Sequence, residues 1–475
     1  MMFPLGAWLP DQPAFNSKGL LTAQNCYPGQ SGYRPVKAFV ADLSAYTEAF
    51  KGAAAFTSPQ GVVSVIGGTA TSLLRVYSGA WQVIGSGYSL QSGGRWRFAQ
   101  FGGLAIATNG SDAMQKIDLT DGTVSALGGS PPTARTLAVV KDFLVAGTIN
   151  GLTNAIAWSA INNAEDWTFG QNQSDYQIMP SGGDVNGLFG GEFGLILQRN
   201  RITRMDYVGG NEIFTINEVS SNFGCVTPHS VIQHGQLGFF LSDNGFMRWD
   251  GASLTPIGSE RIDRYFLSNY NRGSWDSMSA AVDIPNQVVC WSMGDRIFCY
   301  HWILDRWTTI NQMAQIIFAG VTRSLTIDEQ DLTVGAPDDV LDTVGLDSLD
   351  DERFKGGDAT FYIINNSNVL GTFSGTPMAA TWVLPDLEFA KGREAQLRSV
   401  RPDTDAIAGI TLSISCRSRL GDAVSTNNYT SLRSNGDMPV RERGRYCRMT
   451  LSIAAGTTWS FAQGIEPDVV AGSHR

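Results

Sequence analysis

Histidine is scarce in this chain, and charged residues are sparse as well. The 475 residues include four histidines, and Asp, Glu, Lys and Arg together make up 16% of the sequence. No Gly-x-Ser-x-Gly turn, phosphate-binding loop or zinc-ligand spacing accompanies them. We interpret His229, His234, His301 and His474 as structural or surface residues, because none has the cysteine or acidic neighbours of a zinc site. The sequence therefore predicts no catalytic centre, metal site or cofactor, and it indicates a protein that is not an enzyme.

Long hydrophobic segments are also absent from the sequence. The first ten residues, MMFPLGAWLP, lack the basic start and apolar core of a secretory signal, and no run approaches the roughly 18 apolar residues of a membrane span. We therefore expect a chain without a membrane-spanning segment that is made in the cytoplasm of its producer. Its six cysteines are then expected to be reduced thiols.

Cys290 and Cys299 are placed symmetrically about one predicted turn, at Gly294-Asp295. They should therefore face each other across a hairpin, where the geometry would allow a disulfide. We interpret them instead as two small buried apolar side chains.

Glycine, in contrast, is abundant, with 53 residues against 18 prolines, and 43% of the chain is apolar. This composition is typical of a turn-rich β protein. Between about residues 61 and 310, pairs of apolar runs flank six polar turns that lie 38 to 51 residues apart, close to the roughly 40–50 residues of one four-stranded propeller blade. The turns are Thr71-Ser72, Asn109-Gly110, Asn150-Gly151, Arg199-Asn200, Asp243-Asn244-Gly245 and Gly294-Asp295. The sequence thus predicts an all-β protein with a six-bladed β-propeller.

Four parts of the chain follow from this pattern. Residues 1–58 are predicted to be an irregular amino-terminal segment, and residues 59–310 the propeller. Residues 311–384 are predicted to be an acidic insertion or connector, and residues 385–475 a small antiparallel β domain, because alternating apolar and polar residues recur there. Several second runs in the propeller end on an aromatic residue, at Tyr77, Tyr207, Trp249 and Tyr300, which we interpret as core between the blades.

Charge is unevenly distributed along the chain. The 34 basic and 44 acidic residues give a net charge of −10, which argues against a broad basic face for gripping nucleic acid. Residues 328–352 hold ten acids and no Lys or Arg. Their spacing does not match an EF-hand, so we favour a solvated loop over a calcium site. The candidate tip or gate residues in this loop are Asp338, Asp339, Asp342, Asp347, Asp350 and Asp351.

The carboxyl-terminal part has the opposite sign. Residues 391–448 hold ten Arg and one Lys against six acids. On a strand, Arg441, Arg443 and Arg445 would project from the same face, with Arg448 on the other face. Solvated arginines and a docking patch are both consistent with this pattern, and these four residues form the candidate docking interface.

Taken together, the chain resembles the tail nozzle or hub (packaged-DNA stabilisation) proteins of short-tailed bacteriophages. The segments that carry the resemblance are NCYP at 25–28, GLFGGEFGLIL at 187–197, ITRM at 202–205, LRSVRP at 397–402, RGRY at 443–446 and WSFAQGIE at 459–466. The resemblance implies a six-bladed propeller assembled as a ring of six copies below the portal and adaptor. Such a ring encloses the DNA-ejection channel of the virion tail and retains the packaged genome.

The resemblance also implies partners: the adaptor and portal proteins above the ring, tail fibre or needle proteins below it, and DNA that passes without sequence-specific binding. Repulsion of phosphate by an acidic protein suits such a conduit. We expect the arginines of the β domain to dock on an acidic adaptor surface or a neighbouring subunit. The alternatives are a carbohydrate-binding or carbohydrate-cleaving tail-associated propeller and a host protein-interaction propeller.

Overall fold

The computed structural model describes residues 2–15, 17–210, 212–322 and 357–471, and most regular structure in these ranges is β-strand. The helices among them are α1 (Asp263–Asn269) and two short 3-10 helices, Pro228–Ser230 and Arg272–Ser277. The amino-terminal strands are β1 (Phe3–Pro4), β2 (Thr22–Gln24), β3 (Cys26–Gly29), β4 (Gly32–Pro35) and β5 (Lys37–Ala41).

Six four-stranded antiparallel units follow along the chain, each pairing its strands in chain order. The first two are β6 (Gly52–Thr57), β7 (Val63–Gly68), β8 (Ser72–Tyr77) and β9 (Ala80–Ser86), then β10 (Arg97–Phe101), β11 (Leu104–Thr108), β12 (Gln115–Asp118) and β13 (Val124–Ala126). The third and fourth are β14 (Ala134–Val140), β15 (Phe143–Ile149), β16 (Leu152–Trp158) and β17 (Asp175–Ile178), then β18 (Val185–Phe189), β19 (Gly194–Gln198), β20 (Ile202–Tyr207) and β21 (Phe214–Ser220). The fifth and sixth are β22 (Ile232–His234), β23 (Leu237–Ser242), β24 (Gly245–Trp249) and β25 (Leu254–Pro256), then β26 (Ser279–Asp283), β27 (Val288–Ser292), β28 (Ile297–His301) and β29 (Arg306–Ile310).

The six predicted turns are confirmed, and each joins the second and third strands of one unit. At the β15–β16 turn, Asn150 and Gly151 both adopt positive φ, 48° and 79°, as a two-residue hairpin turn of type I′ requires. Second strands such as β15, β19 and β27 are buried along their whole length. Because both of their faces are packed, they appear in the sequence as continuous apolar runs.

A seventh unit follows, one more than the sequence pattern predicts. It consists of β30 (Ile316–Val321), β31 (Ala359–Ile364) and β32 (Leu370–Pro377), and its fourth strand is β5 from the amino-terminal segment. Residues described within 311–384 therefore supply three strands of this sheet, which differs from the predicted connector. Residues 1–58 contain six complete strands, β1 to β6, which differs from the predicted irregular segment.

The seven units pack side by side, in most cases through their first strands. Strand β6 lies against β10, β10 against β14 and β14 against β18, and likewise β22 lies against β26 and β26 against β30. The fourth and fifth units meet through Phe189 and Phe240, which share one hydrophobic cluster. Strand β30 of the seventh unit also packs against β6 of the first.

The carboxyl-terminal strands form a β domain with two sheets. They are β33 (Ala380–Val383), β34 (Leu387–Glu388), β35 (Ala395–Thr404), β36 (Ile410–Arg417), β37 (Thr426–Tyr429), β38 (Met438–Gly444), β39 (Tyr446–Ile453) and β40 (Ala462–Ala471). One sheet has the order β3-β4-β40-β35-β38, with β1 beside β40. The other continues from the sixth unit as β29-β2-β33-β39-β36-β37, with β34 beside β39. The sixth unit and the β domain therefore share a ten-stranded sheet.

Asn25, just after β2, holds this shared sheet together. It is buried and adopts a left-handed backbone conformation with φ of 57°. Its side-chain oxygen accepts a hydrogen bond from the Asn311 backbone N–H at 2.7 Å, and its Nδ2 donates to the Ala379 carbonyl at 2.7 Å. One side chain thus links the end of the sixth unit to the start of the β domain.

Two expectations about particular side chains are corrected by the structure. Cys416 and Cys447 lie opposite each other on β36 and β39 and form a disulfide, so they are not thiols. Tyr77 is 56% exposed, because β8 ends there at the edge of its hairpin, and it is not core. In contrast, Cys290 and Cys299 do face each other as buried free thiols, 3.5 Å apart.

Asp263, at the start of α1, is a buried carboxyl group with incomplete hydrogen bonding. Its Oδ1 accepts from the Phe246 N–H at 3.0 Å, while Oδ2 is buried without a partner. The group packs against Gly245 and Gly258, where any Cβ atom would overlap it. Burial raises the pKa of Asp263 to about 7.

Removing the two hydrogen bonds of Asn25 should weaken the link between the sixth unit and the β domain. We expect Asn25→Ala to lower the free energy of unfolding by about 2 kcal/mol, because it leaves the Asn311 N–H and the Ala379 carbonyl unpaired. Chemical denaturation measures this change. Asn162→Ala is the matched control, since Asn162 has a similar φ of 56° but is exposed. If both variants lose the same free energy of unfolding, the effect comes from the left-handed backbone conformation and not from the hydrogen bonds of Asn25.

Asp263 should make stability fall as pH rises. Its folded-state pKa exceeds the unfolded value of about 4, so its contribution is complete below about pH 4 and is lost as pH rises through about 7. We expect Asp263→Asn to raise the thermal midpoint at pH 8 more than at pH 5. Asp250 is the contrasting case, because the Ser253 and Ala252 N–H groups lower its pKa. Asp250→Asn should therefore lower the thermal midpoint, and by more at pH 8 than at low pH.

Candidate docking surface

The four predicted arginines lie on two neighbouring strands of the β domain. Arg441 and Arg443 are exposed on β38, on either side of Glu442, which is buried and accepts hydrogen bonds from Asn427 and Tyr429. Arg445 lies in the bend between β38 and β39, because β38 ends at Gly444. The common face predicted for three arginines therefore holds two of them.

Three of the four arginines form ion pairs with carboxylates of the same chain. Arg443 Nε lies 2.8 Å from Glu394, and Arg445 Nε lies 2.7 Å from Glu388. The Gly392 N–H, followed by the Arg445 guanidinium, holds the pKa of Glu388 below its usual range. Exposed pairs of this kind contribute little to stability, so they mainly fix where the side chains point.

Arg448 takes part in a more buried arrangement. Its guanidinium and that of Arg417 both bond to Asp386 Oδ2, at 2.8 and 2.5 Å. The Asp386 side chain is only 5% exposed. This carboxylate therefore balances two arginines inside the β domain, and Arg448 is a structural residue.

Arg441 has no ion-pair partner among the described residues. Arg398 on β35 lies in the same part of the sheet, since both arginines fall between the pairs Leu397–Glu442 and Ser399–Pro439, and it is also exposed and lacks a carboxylate partner in the described ranges. A bulge after Leu397 places Arg398 between two paired positions of β38. Like charges on adjoining strands are unfavourable, so these two arginines form the part of the surface most suited to an acidic partner.

The predicted acidic tip or gate residues, Asp338, Asp339, Asp342, Asp347, Asp350 and Asp351, lie outside the described residues. The segment containing them leaves the seventh unit after β30 and returns before β31. Val321 and Ala359, at the two ends, are paired with each other.

Three of the four histidines lie in the described residues. His229 and His301 are buried, and His234 lies 5.4 Å from the Trp302 ring, while His474 is outside the described residues. Within the ranges that the structure covers, no cluster of three metal-ligating side chains occurs. No helix in those ranges is long and apolar enough to cross a membrane.

Comparison with known proteins gives distant structural similarities. The extracellular domain of a hybrid two-component system from B. thetaiotaomicron is 9% identical, with a TM-score of 0.44, and the match covers 84% of this chain and 48% of that one. BamB from Moraxella catarrhalis is 8% identical, with a TM-score of 0.37, over 73% of this chain and 92% of that one. A computationally designed protein, Ika8, is 9% identical, with a TM-score of 0.36, over 71% and 98%.

The chain thus spans about half the length of the first of these proteins. No protein-family model and no curated protein matches the sequence. Similarities at these TM-scores carry no argument about function, which has to come from the geometry of the chain itself.

Loss of the buried ion pairs of Arg417 and Arg448 should affect stability more than loss of the exposed Arg441. We expect Asp386→Ala to lower the free energy of unfolding by about 3 kcal/mol, because it leaves Arg417 and Arg448 without their shared carboxylate. Arg441→Ala should change stability by less than about 0.5 kcal/mol. Chemical denaturation of both variants checks this, and a large loss for Arg441→Ala would show that it too has a structural role.

Proposed function

We propose that this chain is a structural protein of a short-tailed bacteriophage tail, a nozzle or hub subunit that assembles into a ring around the DNA-ejection channel. The proposal combines the sequence resemblance with two features of the structure: a series of four-stranded sheets packed side by side, and a β domain that shares a sheet with one of them.

For the first feature, we infer that the seven four-stranded units form a closed seven-bladed propeller. Neighbouring first strands pack against each other within the first four units and within the last three, the fourth and fifth units meet through Phe189 and Phe240, and β30 packs against β6. The first strands β6, β10, β22, β26 and β30 also line one common cavity. Units distant in sequence share such a cavity when they are arranged radially. The seventh blade is one more than the resemblance implies.

The observation that carries the functional proposal is the ten-stranded sheet shared by the sixth unit and the β domain. Strand β2 pairs with β29 at Gln24 and Thr309 and with β33 over its whole length. The Tyr27 hydroxyl adds a buried hydrogen bond to Asp283, at 3.0 Å. The two parts are therefore held at a fixed angle, which suits a subunit that must position neighbours in an assembly.

Docking in this proposal uses the exposed face with Arg398 and Arg441. An acidic surface on the adaptor or on a neighbouring subunit would relieve the repulsion between these two side chains. Six copies at −10 each would carry about −60, so a ring of this chain would not retain DNA by charge.

Electron microscopy and mass photometry of the purified protein test the ring. We expect closed particles of six copies with a central hole, alone or after addition of the adaptor. A strict monomer that also fails to bind the connector proteins would contradict the proposal. Binding or cleavage of host polysaccharide by that monomer would favour the carbohydrate alternative.

Charge reversal tests the docking face. We expect the double variant Arg398→Glu, Arg441→Glu to fold normally and to be lost from assembled tails, because its face would repel an acidic partner. The control is Arg419→Glu with Arg433→Glu, which reverses two equally exposed arginines in loops of the same domain. Incorporation is measured by quantifying the subunit in purified particles. Equal incorporation of both double variants would rule out this face.

A further inference from the structure

A cavity of about 470 Å³ lies among the first strands of five blades. This is within the roughly 300–1,000 Å³ of small-molecule sites. Part of its wall is apolar, formed by side chains that include Ala53 and Ala55 from β6, Phe98 from β10, Ala281 from β26 and Ile317 from β30.

Two arginines, Arg95 and Arg97, line the same cavity. Arg97 Nη2 donates to the Pro228 carbonyl at 2.7 Å and lies 2.9 Å from His229 Nδ1. Arg95 donates to the backbone carbonyls of Asp276, at 2.9 Å, and Gln315, at 3.4 Å. All of these acceptors are neutral. Across the described ranges, no carboxylate lies within ion-pair distance of either guanidinium.

The remaining polar groups around the pair do not neutralise it. Burial, with a smaller effect of Arg97, lowers the pKa of Arg95 to about 10, and burial likewise lowers that of Arg97 to about 10, so both are charged at neutral pH. Burial and the nearby arginines hold the pKa of His229 well below its usual range, so its ring is neutral. Exposed Arg135 adds a third positive charge nearby.

Two further titratable groups act on the arginines. The carboxylate of Asp276 opposes the lowering of the Arg95 pKa, but it is exposed and forms no ion pair with it. The Cys225 thiol, with a pKa raised by burial to about 12, is neutral. The cavity wall therefore carries two positive charges that no carboxylate of the described residues balances by an ion pair.

We propose that this cavity binds a small phosphate compound, with Arg95 and Arg97 holding the oxyanion and the apolar wall contacting the rest of the molecule. Two guanidinium groups match the charge of a phosphate dianion, whereas a carboxylate would leave one unbalanced. Guanidinium groups present parallel N–H donors that fit phosphate oxygens. Arg97 Nε and Nη1 are without a hydrogen-bond partner among the described residues, so they remain free for such contacts.

His229 is a positioning residue in this site. Its ring bonds to the backbone of Gly93 and accepts from Arg97, which fixes the plane of that guanidinium. The inference does not depend on a role in a phage tail, because it uses only the cavity and its charges.

Calorimetry and thermal unfolding with inorganic phosphate, phenyl phosphate, sulfate and acetate, at ionic strength matched with chloride, test the proposal. We expect phosphate and phenyl phosphate to bind and to raise the thermal midpoint more than acetate does. Arg95→Met with Arg97→Met should weaken binding about tenfold or more. The control pair, Arg419→Met with Arg433→Met, should bind as the unmodified chain does.

Two single variants keep the test decisive if the double variant is unstable. Arg97→Lys keeps the charge and removes the planar donor pair, so it should weaken binding less than the double variant. Ala280→Leu narrows the cavity and should reduce binding of phenyl phosphate more than that of inorganic phosphate. No response to phosphate, or an equal response to acetate, would overturn the proposal.

Discussion

The fold depends on one short segment near the amino terminus, residues 20–41, because it supplies strands to three different sheets. Strand β2 lies between the sixth unit and the β domain, β3 and β4 belong to the other sheet of that domain, and β5 completes the seventh unit. Asn25 is the point where these roles meet, since its side chain bonds to chain segments on both sides. A segment that completes one sheet and contributes strands to two others makes the stability of the four-stranded units and of the β domain interdependent.

That constraint explains why part of the fold could be predicted from sequence and part could not. Hairpins are local, so turns such as Asn150-Gly151 are visible in a single sequence and are confirmed. The seventh unit is not local: its last strand comes from residues 37–41, and its first two strands are separated by residues 322–358. The disulfide between Cys416 and Cys447 likewise depends on the register of β36 and β39, which the chain alone does not specify.

The candidate docking surface could likewise be predicted from the sequence only in part. Alternation along a strand predicts that Arg441 and Arg443 share a face, and it does so because strand periodicity is a local property. It does not predict where the acids lie: Asp386, Glu388 and Glu394 are distant in sequence and neutralise the neighbouring arginines. The excess of positive charge in a segment therefore overestimates the surface that is available to a partner. Here the internal ion pairs leave Arg441 alone among the four predicted arginines, and the sheet register adds Arg398.

The arginines that matter most for recognition are consequently those the fold leaves unbalanced, and these cannot be found by counting charge. Arg95 and Arg97 are not marked by any charge cluster in the sequence, yet the packing of the four-stranded units places them in one cavity, where they bond to neutral acceptors. Both side chains are partly buried, and partial burial of two positive charges without a counterion is costly, a cost that an anionic ligand would offset. The paired arginines of the β domain and the unpaired arginines of the cavity thus differ in surroundings rather than in residue type, and it is the unpaired ones that retain the capacity to bind an anion.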